Sequence, residues 1–185
     1  MRGPLLSGPL GSQPTLEALL RWTAPAPGAP PERAPVVVLG PPWLGAALAA
    51  GGRTLLLVEH ETRPQALRAA RRARKESRPL EVALAAADLP FRPGTLSSLV
   101  VENVAGLAVE EGERWIAALA PMLRPGGRLI AADATSSDAG AARVAGDFLA
   151  AALTDIVQER PRDGVVLTVG VAPAASIVAA RFNLG

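Results

Sequence analysis

The sequence predicts an α/β fold: a mostly parallel sheet, closed at its C-terminal end by an antiparallel hairpin, with helices on both faces. Three observations predict it. From position 36 onward, short apolar runs alternate with helical stretches at the spacing of βαβ crossovers. The runs are continuous rather than alternating in polarity, as in strands buried on both faces. The last two β-rich runs flank Asp163-Gly164, a dipeptide that favours a tight hairpin.

The elements follow in order. Residues 1–12 are rich in Gly, Pro and Ser and are expected to be mobile. "PTLEALLRW" then places Leu16, Leu19 and Leu20 on one helical face, with Thr15 as its N-cap. "TAPAPGAPPERAP" (23–35) reads as an extended, proline-stiffened connector. Residues 1–33 therefore form a separate segment whose helix docks on the main body or on a partner, and 34–185 form the main domain. Within it, strands are predicted at 36–39, 54–59, 80–85, 96–103 and 128–134. Helices are predicted from Trp43 to the Gly51-Gly52 stop, and at 63–77, 110–123 and 139–152, with "RPGG" as a turn before the fifth strand. The stretch 154–173 supplies the hairpin.

Composition narrows the chemistry. A chain of 185 residues, 49% of them hydrophobic, fills the core of one domain. The absence of cysteine excludes disulfides, thiolate metal sites and cysteine nucleophiles. One histidine, His60, leaves little for a histidine-rich metal site or a Ser-His-Asp triad; beside two glutamates it reads first as a solvated loop residue. No apolar run approaches the roughly 20 residues of a membrane span, and the start has no apolar h-region. A cytoplasmic protein without membrane attachment is the expectation. Net charge is +2, tyrosine is absent and aromatics make up 3%, so a base-stacking nucleic-acid surface is not expected. Arg63, Arg68, Arg71, Arg72, Arg74, Lys75 and Arg78 make one helix strongly basic; it reads as a solvated outer face, and next as a contact for an acidic protein partner.

The stretch "PVVVLGPPWLGAALAAGGRTLLLVEHE" has the outline strand, glycine turn, helix, second strand, acidic end. Its turn, "GPPWLG", is neither a phosphate loop nor the G-x-G-x-x-G of dinucleotide enzymes, which sets aside a nicotinamide-dependent oxidoreductase. Over residues 34–173 the chain resembles the class I S-adenosylmethionine (SAM)-dependent methyltransferases. "DLPFRPGTLSSLVVENVAGL" (88–107) and "WIAALAPMLRPGGRLIAADA" (115–134) carry the likeness together with the final hairpin. The resemblance implies the Rossmann-like, seven-stranded methyltransferase sheet, with the cofactor across the carboxyl ends of the first strands.

The resemblance also implies site residues. Gly40 stands at the first glycine of the cofactor loop, Gly45 in place of the third, and Glu59 at the acidic position that binds the ribose hydroxyls. Trp43 is placed to stack on adenine, and Asp88 lies near the position of an adenine-side acid. Elsewhere the pattern departs. Val38, Ala85 and Ser97 or Ser98 replace acidic residues, and Pro42 replaces the second loop glycine. Proline fixes φ and deletes an N–H donor. Two lost charge-assisted bonds at roughly 1.5–3 kcal/mol each take a micromolar site to about millimolar or weaker.

The candidates for catalysis at the carboxyl edge of the sheet are Glu102, Asn103 and Asp133, with His60 behind them; each has a bland reading as a cap or a solvated group. The expected function is a methyltransferase-like protein with a degenerate SAM site. It would be a weakly active or non-catalytic subunit acting through a protein partner, in a heteromer. The alternative is an active SAM-dependent methyltransferase on a small molecule or a protein side chain.

Overall fold

Alternate residues of the central strands point into two separate apolar layers, and that alternation decides where the helices sit. The computed structural model describes residues 9–24, 35–85 and 89–174. Seven strands form one sheet: β1 (Val36–Leu39), β2 (Thr54–Val58), β3 (Leu80–Leu84), β4 (Leu96–Glu102), β5 (Leu123–Asp133), β6 (Thr154–Arg162) and β7 (Val165–Val171). Their order is β3-β2-β1-β4-β5-β7-β6, and β7 alone runs against its neighbours. The seven-stranded, mostly parallel sheet with a C-terminal hairpin is thus the one expected.

Among the described residues five α-helices cover it: α1 (Gln13–Thr23), α2 (Pro42–Leu48), α3 (Arg63–Lys75), α4 (Val109–Leu119) and α5 (Asp138–Ala150). Val38, Leu56, Val100 and Ile130 face one layer, which α1, α2 and α3 close with Leu19, Leu44, Leu48 and Ala66. Val37, Leu57, Leu99 and Leu129 face the other, closed by Ile116 of α4 and Phe148 of α5. Burial of each large aliphatic side chain in these layers stabilises the fold by about 1.5–3 kcal/mol relative to exposure.

The structure corrects several boundaries. α1 begins at Gln13 with Ser12 at the N-cap, and Thr15 lies fully buried within the helix, its hydroxyl 2.9 Å from that of Ser12. α1 also packs on its own domain. Leu19 is fully buried, the Trp22 indole N–H donates to Glu159 on β6 at 2.8 Å, and Arg128 on β5 donates to the last carbonyls of the helix at Trp22 and Ala24. Arg21 adds an ion pair to the same Glu159. Residues 1–8 and most of the proline-rich connector lie outside the described residues.

α4 stops at Leu119, because Pro121 cannot continue it, and a single 3-10 turn follows. β5 starts five residues earlier than its apolar run. Leu123 already pairs with Leu96, and the "RPGG" segment is carried inside the strand as an irregularity with Gly126 at φ +74°. The hairpin turns at Asp163-Gly164 as expected, Gly164 taking φ +72°.

The chain runs outward from β1 to β2 and β3, then crosses back to β4 on the other side of β1. That reversal opens a crevice beyond the carboxyl ends of β1, β2 and β4, where open α/β sheets bind ligands.

Candidate functional site

A cleft of about 890 Å³ occupies this crevice. The ends of β1, β2 and β4 bring Gly40, Pro41, Glu59 and Glu102 to it; α4 closes the far side with Glu111, Arg114 and Trp115. Its remaining wall is largely aliphatic.

The turn after β1 is built by its prolines. Pro41 is the N-cap of α2 in extended conformation and Pro42 is the first helical residue, a position where the missing N–H has no intrahelical partner to lose. The Leu44 N–H is taken by the Pro41 carbonyl at 3.0 Å. Residues 40–44 therefore offer a ligand at most the N–H groups of Gly40 and Trp43.

The residues singled out in the sequence separate into three groups. Gly40, Glu59 and Glu102 come together in the cleft. Trp43 does not line it; its ring packs against the core layer under α1 and α2. Gly45 is buried in α2, where a Cβ would approach the Leu56 side chain to 3.1 Å, so it permits close helix–strand contact rather than touching the cleft. Asp88 lies outside the described residues. His60 is exposed in the turn between β2 and α3 and is not among the cleft residues. Asn103 is exposed as well, and turns the chain after β4 with φ 61°. Its side chain lies against Gly106, where a Cβ would come within 2.3 Å of the amide oxygen.

Asp133 sits behind the cleft, 1% exposed, and accepts the Ala105 N–H at 2.7 Å. Burial pushes its carboxyl above the usual range; the hydrogen bonds from the Ala105 and Val104 backbone and the nearby Arg143 charge offset part of that. Arg143 on α5 donates to the carbonyl of Val104 at 2.8 Å and to that of Leu107 at 3.4 Å. The two side chains thus brace the loop from Asn103 to Leu107, part of the cleft wall. Glu102 precedes that loop. Burial, and then the negative charge of Asp133, raise its carboxyl above the ordinary glutamate range. Among the described residues no group of His, Cys, Asp and Glu is arranged to hold a metal ion.

Arg114, Trp115 and Glu111 escaped the sequence reading. They belong to a helix far along the chain from the glycine turn, and only the fold brings α4 to the crevice. The available signal was Trp115 itself, one of three tryptophans, at the edge of the buried stripe made by Gly112, Ile116 and Leu119 and still 40% exposed.

Solved structures match this architecture. An O-methyltransferase family protein from Burkholderia thailandensis superposes with a TM-score of 0.69 at 15% identity, over 88% of this chain and 56% of that one. The structure of PigF with SAH gives a TM-score of 0.61 at 14% identity, over 75% and 50%. The fold is that of the class I methyltransferases. The [4+2]-cyclase SpnF also matches, with a TM-score of 0.61 at 13% identity over 77% of this chain and 76% of that one. By sequence, no family model and no curated protein matches. The chain spans about half the length of the methyltransferase structures named here. A methyltransferase fold carries more than one chemistry, so the residues decide.

SAM itself tests them. Glu59 fits: it lines the cleft, and its two carboxylate oxygens would accept from two vicinal ribose hydroxyls of a bound SAM. Ala85, which lines the cleft, offers adenine no polar partner. Pro41 and Pro42 supply no N–H toward a methionine carboxylate. When bound, SAM would supply an electrophilic methyl group on a sulfonium; Glu59 would hold its ribose, and the Gly40 turn would meet its amino-acid end.

Proposed function

We propose that this chain is a methyltransferase-like domain that binds SAM through the ribose contact of Glu59, weakly because its glycine turn is built from prolines, and that it serves as a weakly active or non-catalytic subunit of a heteromer. The observation that carries the reading is Pro41 at the rim of the cleft with Pro42 opening α2. Together they remove two backbone donors from the turn that lies against a ligand in this crevice. The chemistry around the cleft agrees. Asp133 is engaged with the loop backbone, and Asn103 and His60 are outside the cleft. That leaves Glu102, among the catalytic candidates, as the one that lines the cleft.

A second reading is favoured by the size of the cleft. At about 890 Å³, with Trp115 and Arg114 beyond Glu102, it has space for an acceptor beside the donor. The domain is then an active methyltransferase on a small molecule or a protein side chain. Methyl transfer asks mainly for in-line positioning, plus a base where the nucleophile must shed a proton. SAM, held at its ribose by Glu59, would supply the electrophilic methyl group, and Glu102 would accept the proton that the nucleophile sheds.

Calorimetric titration of SAM and S-adenosylhomocysteine into the wild type and Glu59→Ala tests the proposal. Dissociation constants in the high micromolar to millimolar range, abolished by Glu59→Ala, support it. Low-micromolar affinity with turnover of a methyl acceptor by the isolated chain supports the second reading instead.

A further inference from the structure

The Glu102 carboxylate is in an unusual position for a charged group. It lies at the carboxyl end of β4, partly buried, on the cleft floor beside the glycine turn; a Cβ on Gly40 would stand 3.8 Å from its Oε2. Among the described residues it has no hydrogen bond and no ion pair, and the charge that acts on it is that of Asp133, of the same sign. Neither nearby cation is paired with it. Arg143 is held by the Val104 carbonyl and faces Asp147 at 3.5 Å. Arg114, across the cleft on α4, donates its Nε–H to the Glu110 carbonyl at 3.2 Å.

A carboxylate partly stripped of water, without a partner, is costly for the fold. A ligand that brings positive charge removes that cost, and the aliphatic wall of Leu39, Leu57 and Val101 lowers the local dielectric and strengthens the attraction. Glu59 and Glu111 line the same cleft, so among the described residues three carboxylates stand against one guanidinium, Arg114.

We infer that Glu102 makes this cleft select a positively charged occupant: among ligands with one adenosyl-amino-acid skeleton, those with a cationic centre at the sulfur position bind in preference to the neutral thioether. The inference rests on the reading that the cleft takes ligands of this class. It adds that the pocket distinguishes methyl donor from demethylated product by charge, through a side chain on β4 rather than through the turn after β1. Glu102 is then a specificity residue, while Glu59, which meets the part common to all such ligands, is not.

Three ligands test this: SAM, a sulfonium; its amine analogue sinefungin, protonated at neutral pH; and S-adenosylhomocysteine, neutral at that position. Each is titrated by calorimetry into the full chain as wild type, Glu102→Gln and Glu59→Gln, with circular dichroism melting to verify that the variants fold. The wild type is expected to bind both cations about tenfold more tightly than the thioether, the scale of one charge-assisted contact. Glu102→Gln brings the three affinities to within about twofold, whereas Glu59→Gln weakens all three together and keeps the ratio. Equal affinities in the wild type, or an unchanged ratio in Glu102→Gln, overturn the inference alone. No heat from any of the three at millimolar concentration overturns the ligand class assigned to the cleft, and the inference with it.

Discussion

The buried carboxylate of Asp133 accepts the backbone N–H of Ala105 at 2.7 Å, joining the end of β5 to the loop that leaves β4. A residue placed by its strand end among the catalytic candidates is therefore engaged in holding a wall of the cleft. Its removal should be read as lost structure. Asp133→Ala is expected to lower stability by about 2 kcal/mol, the scale of a buried hydrogen bond plus the stranded donor. Asp133→Asn, which keeps an acceptor oxygen, should cost under about half of that. Urea denaturation measures both, and wild-type stability in Asp133→Ala would contradict the assignment.

Glu102 should show the opposite sign, because its carboxyl, unlike that of Asp133, makes no hydrogen bond to the described residues. Its folded-state pKa is raised by burial and by Asp133, so the folded protein favours the protonated acid. Stability then falls as pH rises from the unfolded range, about 4.3, through the raised value, and the full cost is present above it. Glu102→Gln is expected to raise the urea midpoint at neutral pH, with no difference from the wild type below about pH 4. A lower midpoint at neutral pH would mean that the carboxylate is satisfied by a partner in the fold.

The contact between α1 and β6 responds to acid. The hydrogen bond from Arg21 holds the Glu159 carboxyl below the usual range; burial opposes it, and the Trp22 hydrogen bond and the Arg21 charge add to the lowering. A depressed folded-state pKa contributes stability that is present above the unfolded glutamate range and lost as pH falls through the depressed value. Glu159→Gln should therefore lower the urea midpoint at neutral pH and converge on the wild type in strong acid. Trp22 fluorescence, followed through the titration in a variant with phenylalanine at Trp43 and Trp115, reports whether α1 leaves the sheet with the rest of the fold.

Gly170 on β7 has no room for a side chain. A Cβ there would meet the ring of the fully buried Phe148 at 2.7 Å and the Leu153 side chain at 3.1 Å. Gly170→Ala is expected to cost about 1–3 kcal/mol through overpacking between α5 and the sheet. The double variant with Phe148→Leu should recover part of that in chemical denaturation. Additive losses would show that the two positions do not press on each other.

Much of this architecture was legible because its signals are local. A strand buried on both faces must be a continuous apolar run, and Asp163-Gly164 carries its turn in two residues. Gly40 and Glu59 were legible for the same reason: a strand, a turn, a helix and a second strand, all within one stretch of chain, set them at one sheet edge. The missed features depend on distant partners. β5 begins at Leu123 because Leu96 pairs with it, and nothing in "LRPGG" announces that pairing. Trp43 lies outside the cleft because Leu44 and Leu48 fix the inward face of α2 and carry its ring to the core layer under α1. α1 had two possible docking surfaces in the sequence; Leu19 together with the Trp22–Glu159 hydrogen bond puts it on its own domain. Arg114 and Trp115 needed the crossover that brings α4 beside the crevice.

A crystal structure of the chain saturated with SAM addresses the central claim most directly, because the claim concerns which atoms of the ligand the protein holds. The expected result is an adenosine whose ribose hydroxyls are bound by Glu59, with the methionine carboxylate receiving no backbone hydrogen bond from residues 41 and 42. A carboxylate seated in the turn between Gly40 and Gly45 and held there by several main-chain N–H groups would contradict it.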